Sequence, residues 1–80
     1  MDVTEKIKEI FCNLFFLEKE QVHDTLSQTD VAAWDSLQHL NLVLAIEQEF
    51  GIMITPEEST EMLTFSLTVL LVKEKIKAMA

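Results

Sequence analysis

The scarcity of turn-forming residues is the feature that most limits what this chain can fold into. Its 80 residues include one glycine, Gly51, and one proline, Pro56, which lie close together. An all-β domain needs turn residues about every 8–12 positions. The sequence therefore predicts an all-α fold, and its length predicts a single domain over residues 1–80.

Apolar spacing and capping residues predict four helices, at about residues 2–16, 36–50, 56–62 and 65–78. The first places Ile7, Phe11 and similar residues on one face. The second starts after Asp35, a good N-cap, and ends before Gly51. The third follows a Thr-Pro-Glu-Glu capping signal. Together they predict a four-helix bundle with a short third helix and a long first loop.

The first loop, residues 17–34, has no helical period and is rich in polar residues that favour turns. Four apolar residues could pin it to a core: Val22, Leu26, Val31 and Trp34. We expect an ordered loop, which is uncommon at this length and often functional.

The second helix carries more apolar surface than one core-facing stripe needs. Its apolar residues cover more than half of the helix circumference: Leu37, Leu40, Leu42, Val43, Leu44, Ile46 and Phe50. Two interpretations stay open. Several neighbouring elements could bury the helix, or part of the apolar arc could meet a partner or a bound chain.

Charge and composition exclude several classes of protein. The chain has six lysines, no arginine and 14 acidic residues, for a net charge of −8, so it would repel a phosphate backbone and nucleic-acid binding is not expected. No signal-peptide pattern or membrane-length apolar run is present, which predicts a soluble cytoplasmic protein. Two histidines and one cysteine make no zinc pattern. We find no catalytic constellation and expect neither a metal site nor an enzyme.

The string Asp35-Ser36-Leu37 opens the second helix. Three residues are weak evidence, and Asp35 could serve only as a helix cap. A serine at a helix start, however, is exposed beside unpaired backbone N–H groups and the positive end of the helix dipole. That environment favours a phosphodiester attached to the hydroxyl.

Together with residues 41–51, this string resembles the acyl carrier protein family. The resemblance implies that Ser36, flanked by Asp35 and Leu37, carries 4′-phosphopantetheine, which a separate phosphopantetheinyl transferase adds. Cargo would be held on that arm as a thioester and presented to acyl-loading and acyl-transfer enzymes, with the carrier expected to be a monomer. The family fold is also a four-helix bundle with a long first loop.

The resemblance implies two further sets of residues. Candidates for an acyl pocket, for which plain core packing is the alternative, are Ile46, Phe50, Ile54, Met62 and Leu67. Candidates for partner binding are Leu37, Gln38, Leu40, Asn41, Leu44 and Glu47.

The sequence departs from fatty-acid carriers at the start of the second helix. Gln38, His39 and Asn41 stand where those carriers usually have acidic residues, and Trp34 stands where a small residue is usual. These departures favour a specialised lipid, polyketide or cell-envelope pathway. An aminoacyl or D-alanyl carrier, and a helical interaction module without a prosthetic group, remain alternatives. Trp34 either packs the loop or touches the arm or a partner, and His39 either packs half-buried or has a chemical role.

Overall fold

The computed structural model describes residues 2–79 of the chain, and it is helical as the sequence predicts. The helices are α1 (Val3–Phe15), α2 (Ser36–Phe50), α3 (Pro56–Ser59) and α4 (Phe65–Met79). Within the described range there is no strand, only an isolated bridge that pairs Ser27 with Thr64. The all-α, four-helix fold with a short third helix is confirmed.

Local capping features fix the end of α2 and the start of α3, both as predicted. Gly51 ends α2 in the left-handed region, with φ of 65°, where glycine avoids the steric cost of a Cβ. The Thr55 hydroxyl accepts from the Glu58 N–H at 3.1 Å, and the Glu58 carboxylate accepts from the Thr55 N–H at 2.9 Å. This reciprocal box fixes the start of α3.

Four boundaries differ from the predicted ones, one of them the end of α4, which runs one residue further, to Met79. Helix α1 is a residue shorter at each end, because Asp2 is its N-cap and Phe16 leaves the helix with φ of 59°. Helix α3 was predicted to reach residue 62 but ends at Ser59, because the N–H groups of Glu61 and Met62 bond three residues back and form tighter turns. A short 3₁₀ helix at Lys19–Gln21 was not predicted.

The first loop is an integral part of the core. Its four apolar anchors are all buried: Val22, Leu26, Val31 and Trp34. Phe11 of α1 makes edge-on aromatic contacts with Phe15, Trp34 and Phe65, joining α1, the loop and α4. The carbonyl of Leu26 also accepts from the Phe65 N–H at 2.9 Å. The predicted ordering of the loop is confirmed, and it brings the end of the loop to a fixed place beside α2.

None of the helices in residues 2–79 is long and apolar enough to cross a membrane.

Candidate functional site

Ser36 is the first residue of α2, and it is exposed. Asp35 caps the helix: its Oδ1 accepts from the Gln38 N–H at 2.8 Å, and its backbone carbonyl accepts from the His39 N–H at 2.8 Å. The N–H groups of Ser36 and Leu37 bond no acceptor within residues 2–79. The Ser36 hydroxyl therefore stands beside free donors at the positive end of a helix of 15 residues.

Trp34, two residues before Ser36, packs the loop rather than facing solvent. Its indole is 2% exposed and stacks on Phe15, with ring centroids 5.3 Å apart. The His39 ring lies nearly parallel to the indole, with ring centroids 6.1 Å apart. This contact supports the packing alternative for Trp34, and the segment leading to Ser36 is held from within the core.

His39 joins three parts of the fold. The Trp34 Nε1–H donates to His39 Nδ1 at 3.0 Å, and His39 Nε2 lies 2.9 Å from the Ser59 carbonyl oxygen. An indole N–H can only donate and a carbonyl can only accept, so the neutral ring that satisfies both contacts carries its proton on Nε2. His39 is half-buried, as expected, and it also ties α2 to α3 through a bond that the sequence did not reveal.

Gln38, the residue before His39, ties α2 to α1. Its carboxamide Nε2 donates to the Leu14 carbonyl at 3.3 Å, and its Oε1 accepts from Asn41 Nδ2 at 2.6 Å. Gln38 is half-buried and Asn41 is exposed. Of these two predicted partner residues, Asn41 is the more accessible.

Part of the wide apolar arc of α2 faces solvent. Leu42, Val43 and Ile46 are buried in the core. Three leucines of α2 are not covered by the rest of the chain: Leu37 is 69% exposed, Leu40 is 59% exposed and Leu44 is 54% exposed. Neighbouring elements therefore do not bury the whole arc, and a leucine ridge starts directly beside Ser36.

Glu47, the last of the predicted partner residues, turns toward the chain itself. Its Oε2 accepts from the Ile54 N–H at 2.8 Å and its side chain is half-buried. The carboxylate stabilises the segment between α2 and α3, which leaves it less available to a partner.

The structure brings four of the five acyl-pocket candidates together. Ile46, Ile54 and Met62 belong to the core, and Phe50 packs against it. Leu67 lies apart: it is 41% exposed and lines a separate groove with Leu70 and Leu71. The four inner residues form a packed interior, and Leu67 is on the outside of α4.

A cavity of about 220 Å³ opens beside Ser36, between the first loop, α2 and α3. Its lining residues are Gln28, Ser36, His39, Ser59, Thr60, Met62 and Leu63. Sequence reasoning did not single out Gln28, Ser59, Thr60 or Leu63 as members of a site with Ser36. They meet Ser36 only through the tertiary fold, so no local pattern could have identified them.

Cys12 has the environment of a packing residue. It is half-buried, and burial is the main factor that raises the pKa of its thiol. Within the described chain, both histidines hydrogen-bond elsewhere: His23 to the Thr25 hydroxyl, and His39 to Trp34 and Ser59. The structure thus shows no Cys–His hydrogen bond of the kind that activates a nucleophile.

Comparison with known proteins gives the family. No protein-family model matches the sequence. The chain is 35% identical, over 75 residues, to a protein named acyl carrier protein from Petrotoga mobilis, and the match covers 94% of this chain and 88% of that protein. The match thus extends over nearly the whole bundle. Its identity and coverage, together with the helical fold, establish that the chain belongs to the acyl carrier protein family.

Proposed function

We propose that Ser36 carries 4′-phosphopantetheine and that the chain holds acyl cargo on this arm. The observation that carries the proposal is that an exposed hydroxyl, free N–H donors and the Asp-Ser-Leu string coincide at the start of α2. A phosphate bonded to Ser36 would lie where the helix dipole and these N–H groups favour negative charge. When bound, the arm supplies a thiol that holds an acyl group as a thioester.

Other serines lack one or more of these features. Ser59 is the last residue of α3, at the negative end of a helix of four residues. Ser66 lies near the start of α4, but its N–H donates to the Asp24 carbonyl at 3.0 Å and its hydroxyl bonds the Thr64 hydroxyl at 3.2 Å. These differences from Ser59 and Ser66 support Ser36 as the single attachment point.

Ser36 is proposed as an attachment point, and the protein as a carrier without catalytic activity of its own. His39, on the next turn, would be the nearest candidate base. Both of its ring nitrogens are bonded to Trp34 and Ser59, and the Ser36 hydroxyl bonds no base within the described residues. Membership of a family of carriers supports the same role.

The leucine ridge of Leu37, Leu40 and Leu44 is the proposed docking surface for the transferase and for acyl-handling enzymes. It is exposed and begins beside the attachment serine, where any enzyme acting on the arm must approach. The accessible polar group among the predicted partner residues is Asn41, and α2 has no acidic residue in its first turn. We therefore expect apolar contacts to dominate, which supports a specialised pathway rather than general fatty-acid synthesis.

The test is the intact mass of the chain after coexpression with a broad-specificity phosphopantetheinyl transferase. Wild type should gain one phosphopantetheine group, and Ser36→Ala should gain none while it melts at nearly the same temperature, because Asp35 still caps α2. Ser59→Ala and Ser66→Ala are matched controls that should still be modified. An unmodified wild-type chain would favour an interaction module without a prosthetic group, and a modified Ser36→Ala variant would place the attachment elsewhere.

A further inference from the structure

The cavity beside Ser36 has a polar wall. Ser59 and Gln28 line it, and neither the Ser59 hydroxyl nor the Gln28 carboxamide makes a hydrogen bond to another described residue. The Thr60 hydroxyl donates to the Glu57 carbonyl at 2.6 Å and keeps its acceptor lone pairs. Hydroxyl and amide groups that are not already paired can bind the polar groups of a ligand.

The cavity is also small. Its volume of about 220 Å³ lies below the roughly 300–1,000 Å³ of pockets that enclose drug-sized ligands. Met62 lines the cavity and is itself buried, and it belongs to the same core cluster as Ile46 and Leu42. The cavity therefore suits a short group and ends at a filled interior.

His39 stands where the cavity, the first loop and α3 meet. It lines the cavity, accepts from the Trp34 N–H and bonds the Ser59 carbonyl of α3. Separating α2 from α3 at this point would break the His39–Ser59 bond, and displacing the ring would leave the buried Trp34 N–H without its acceptor. An unpaired buried donor is costly, so the tie opposes entry of a long chain.

We infer that the cavity is a subsite for a short, polar acyl group, such as a hydroxylated one, and that His39 excludes long alkyl cargo from the bundle interior. This inference rests on the proposed attachment of the arm to Ser36. It gives His39 a positioning role: it acts by holding α2 against α3 and takes no part in chemistry.

The experiment loads the arm on Ser36 with three acyl groups and follows each loaded protein by NMR. The groups are 2-hydroxypropionyl, propionyl as its match without the hydroxyl, and octanoyl. The hydroxylated group should shift the amide signals of Gln28, Ser59 and Thr60 more than propionyl does. Octanoyl should leave the methyl signals of Ile46 and Ile54 of the wild type unshifted.

A variant of His39 tests the exclusion directly. His39→Phe keeps a ring against Trp34 but can make neither hydrogen bond, so octanoyl should now shift the Ile46 and Ile54 methyl signals. His23→Phe is the matched control, since His23 is exposed and bonds only the nearby Thr25 hydroxyl, and it should behave as wild type.

Several outcomes would overturn the inference. Octanoyl that shifts Ile46 and Ile54 in wild type as strongly as in His39→Phe would show that His39 excludes nothing. Equal effects of the hydroxylated and plain short groups would remove the polar subsite. If His39→Phe does not fold, the ¹⁵N signals of the wild-type ring decide: they should be unchanged by octanoyl, and loss of the Nε2–H tautomer would overturn the inference. Failure to modify Ser36 at all would instead defeat the proposed function.

Discussion

The two faces of α2 are built from the same residue types but have different surroundings. On the covered face, Leu42 and Ile46 are fully buried, and His39 adds a polar tie to α3. On the open face, Leu40 and Leu44 are more than half exposed. The helix is defined by its Asp35 cap, its Gly51 end and its buried side. The open leucines are therefore not needed for the fold, and this makes them available to a partner.

The largest expected effect is a difference in stability between alanine variants of Leu42, on the covered face of α2, and Leu44, on its open face. Leu42→Ala should lower the free energy of unfolding by about 2–5 kcal/mol, because it leaves a cavity in the core. Leu44→Ala should change it by no more than about 0.5 kcal/mol, because that side chain is 54% exposed. Urea denaturation of both variants measures the difference. Similar losses for the two variants would mean that the face of α2 bearing Leu44 is covered in solution, for example by a second copy.

The next effect compares the two histidines. His39→Ala should lower the free energy of unfolding by about 1–3 kcal/mol, because the buried Trp34 N–H loses its acceptor. His23→Ala should have almost no effect, since that ring is exposed. Thermal and urea unfolding of the two variants test this, and a His39→Ala protein as stable as wild type would contradict the tie between α2 and α3.

Substitutions on the open face of α2 should lower the rate of phosphopantetheine transfer and leave stability almost unchanged. Leu44→Ser and Leu70→Ser change side chains that are both 54% exposed, one on α2 and one on α4. Leu44→Ser should lower kcat/KM for phosphopantetheine transfer about tenfold, the loss expected when an apolar contact of an interface is truncated. Leu70→Ser should stay within about twofold of wild type.

The pair of serine variants also controls for helix propensity, since each places the same residue in a helix of 15 residues. Wild-type rates for both variants would move the docking surface away from α2. Equal losses would indicate a general effect on the fold instead of a contact with the transferase.

The covered and open faces also differ in how far sequence could predict them. The ends of α2 follow from Asp35 and Gly51, which act within a few residues, so they were predicted correctly. The apolar arc was visible, but which part of it is buried depends on where α1, the loop and α3 pack. The same holds for His39: half-buried packing was one of its two interpretations, whereas its partner Ser59 is 20 residues away. Contacts between residues far apart in the sequence arise only from tertiary structure, and so does the cavity beside Ser36.

Helix α3 shows the same limit at its end. The Thr55–Glu58 box is local and predicted its start. Its last turn is only loosely specified by propensity, and the chain tightens into three-residue turns after Ser59. Having no buried residue of its own, α3 depends on polar contacts with its neighbours.

The smallest expected effect concerns the ion pair between Glu58 of α3 and Lys75 of α4. Lys75 of α4 lies 2.7 Å from the Glu58 carboxylate, and this bond, followed by that from the Thr55 N–H, lowers the pKa of Glu58 below its ordinary value. A lowered pKa means that the contribution is complete above the pKa of the unfolded chain and is lost as the pH falls through the lower folded value. Lys75→Met should therefore reduce the melting temperature slightly at pH 7, because an ion pair that water still reaches contributes little. The difference from wild type should shrink once the pH is below the folded pKa of Glu58. Melting curves of both proteins from neutral to acid pH test this, and a difference that stays constant with pH would assign the effect of Lys75 to packing of its alkyl chain.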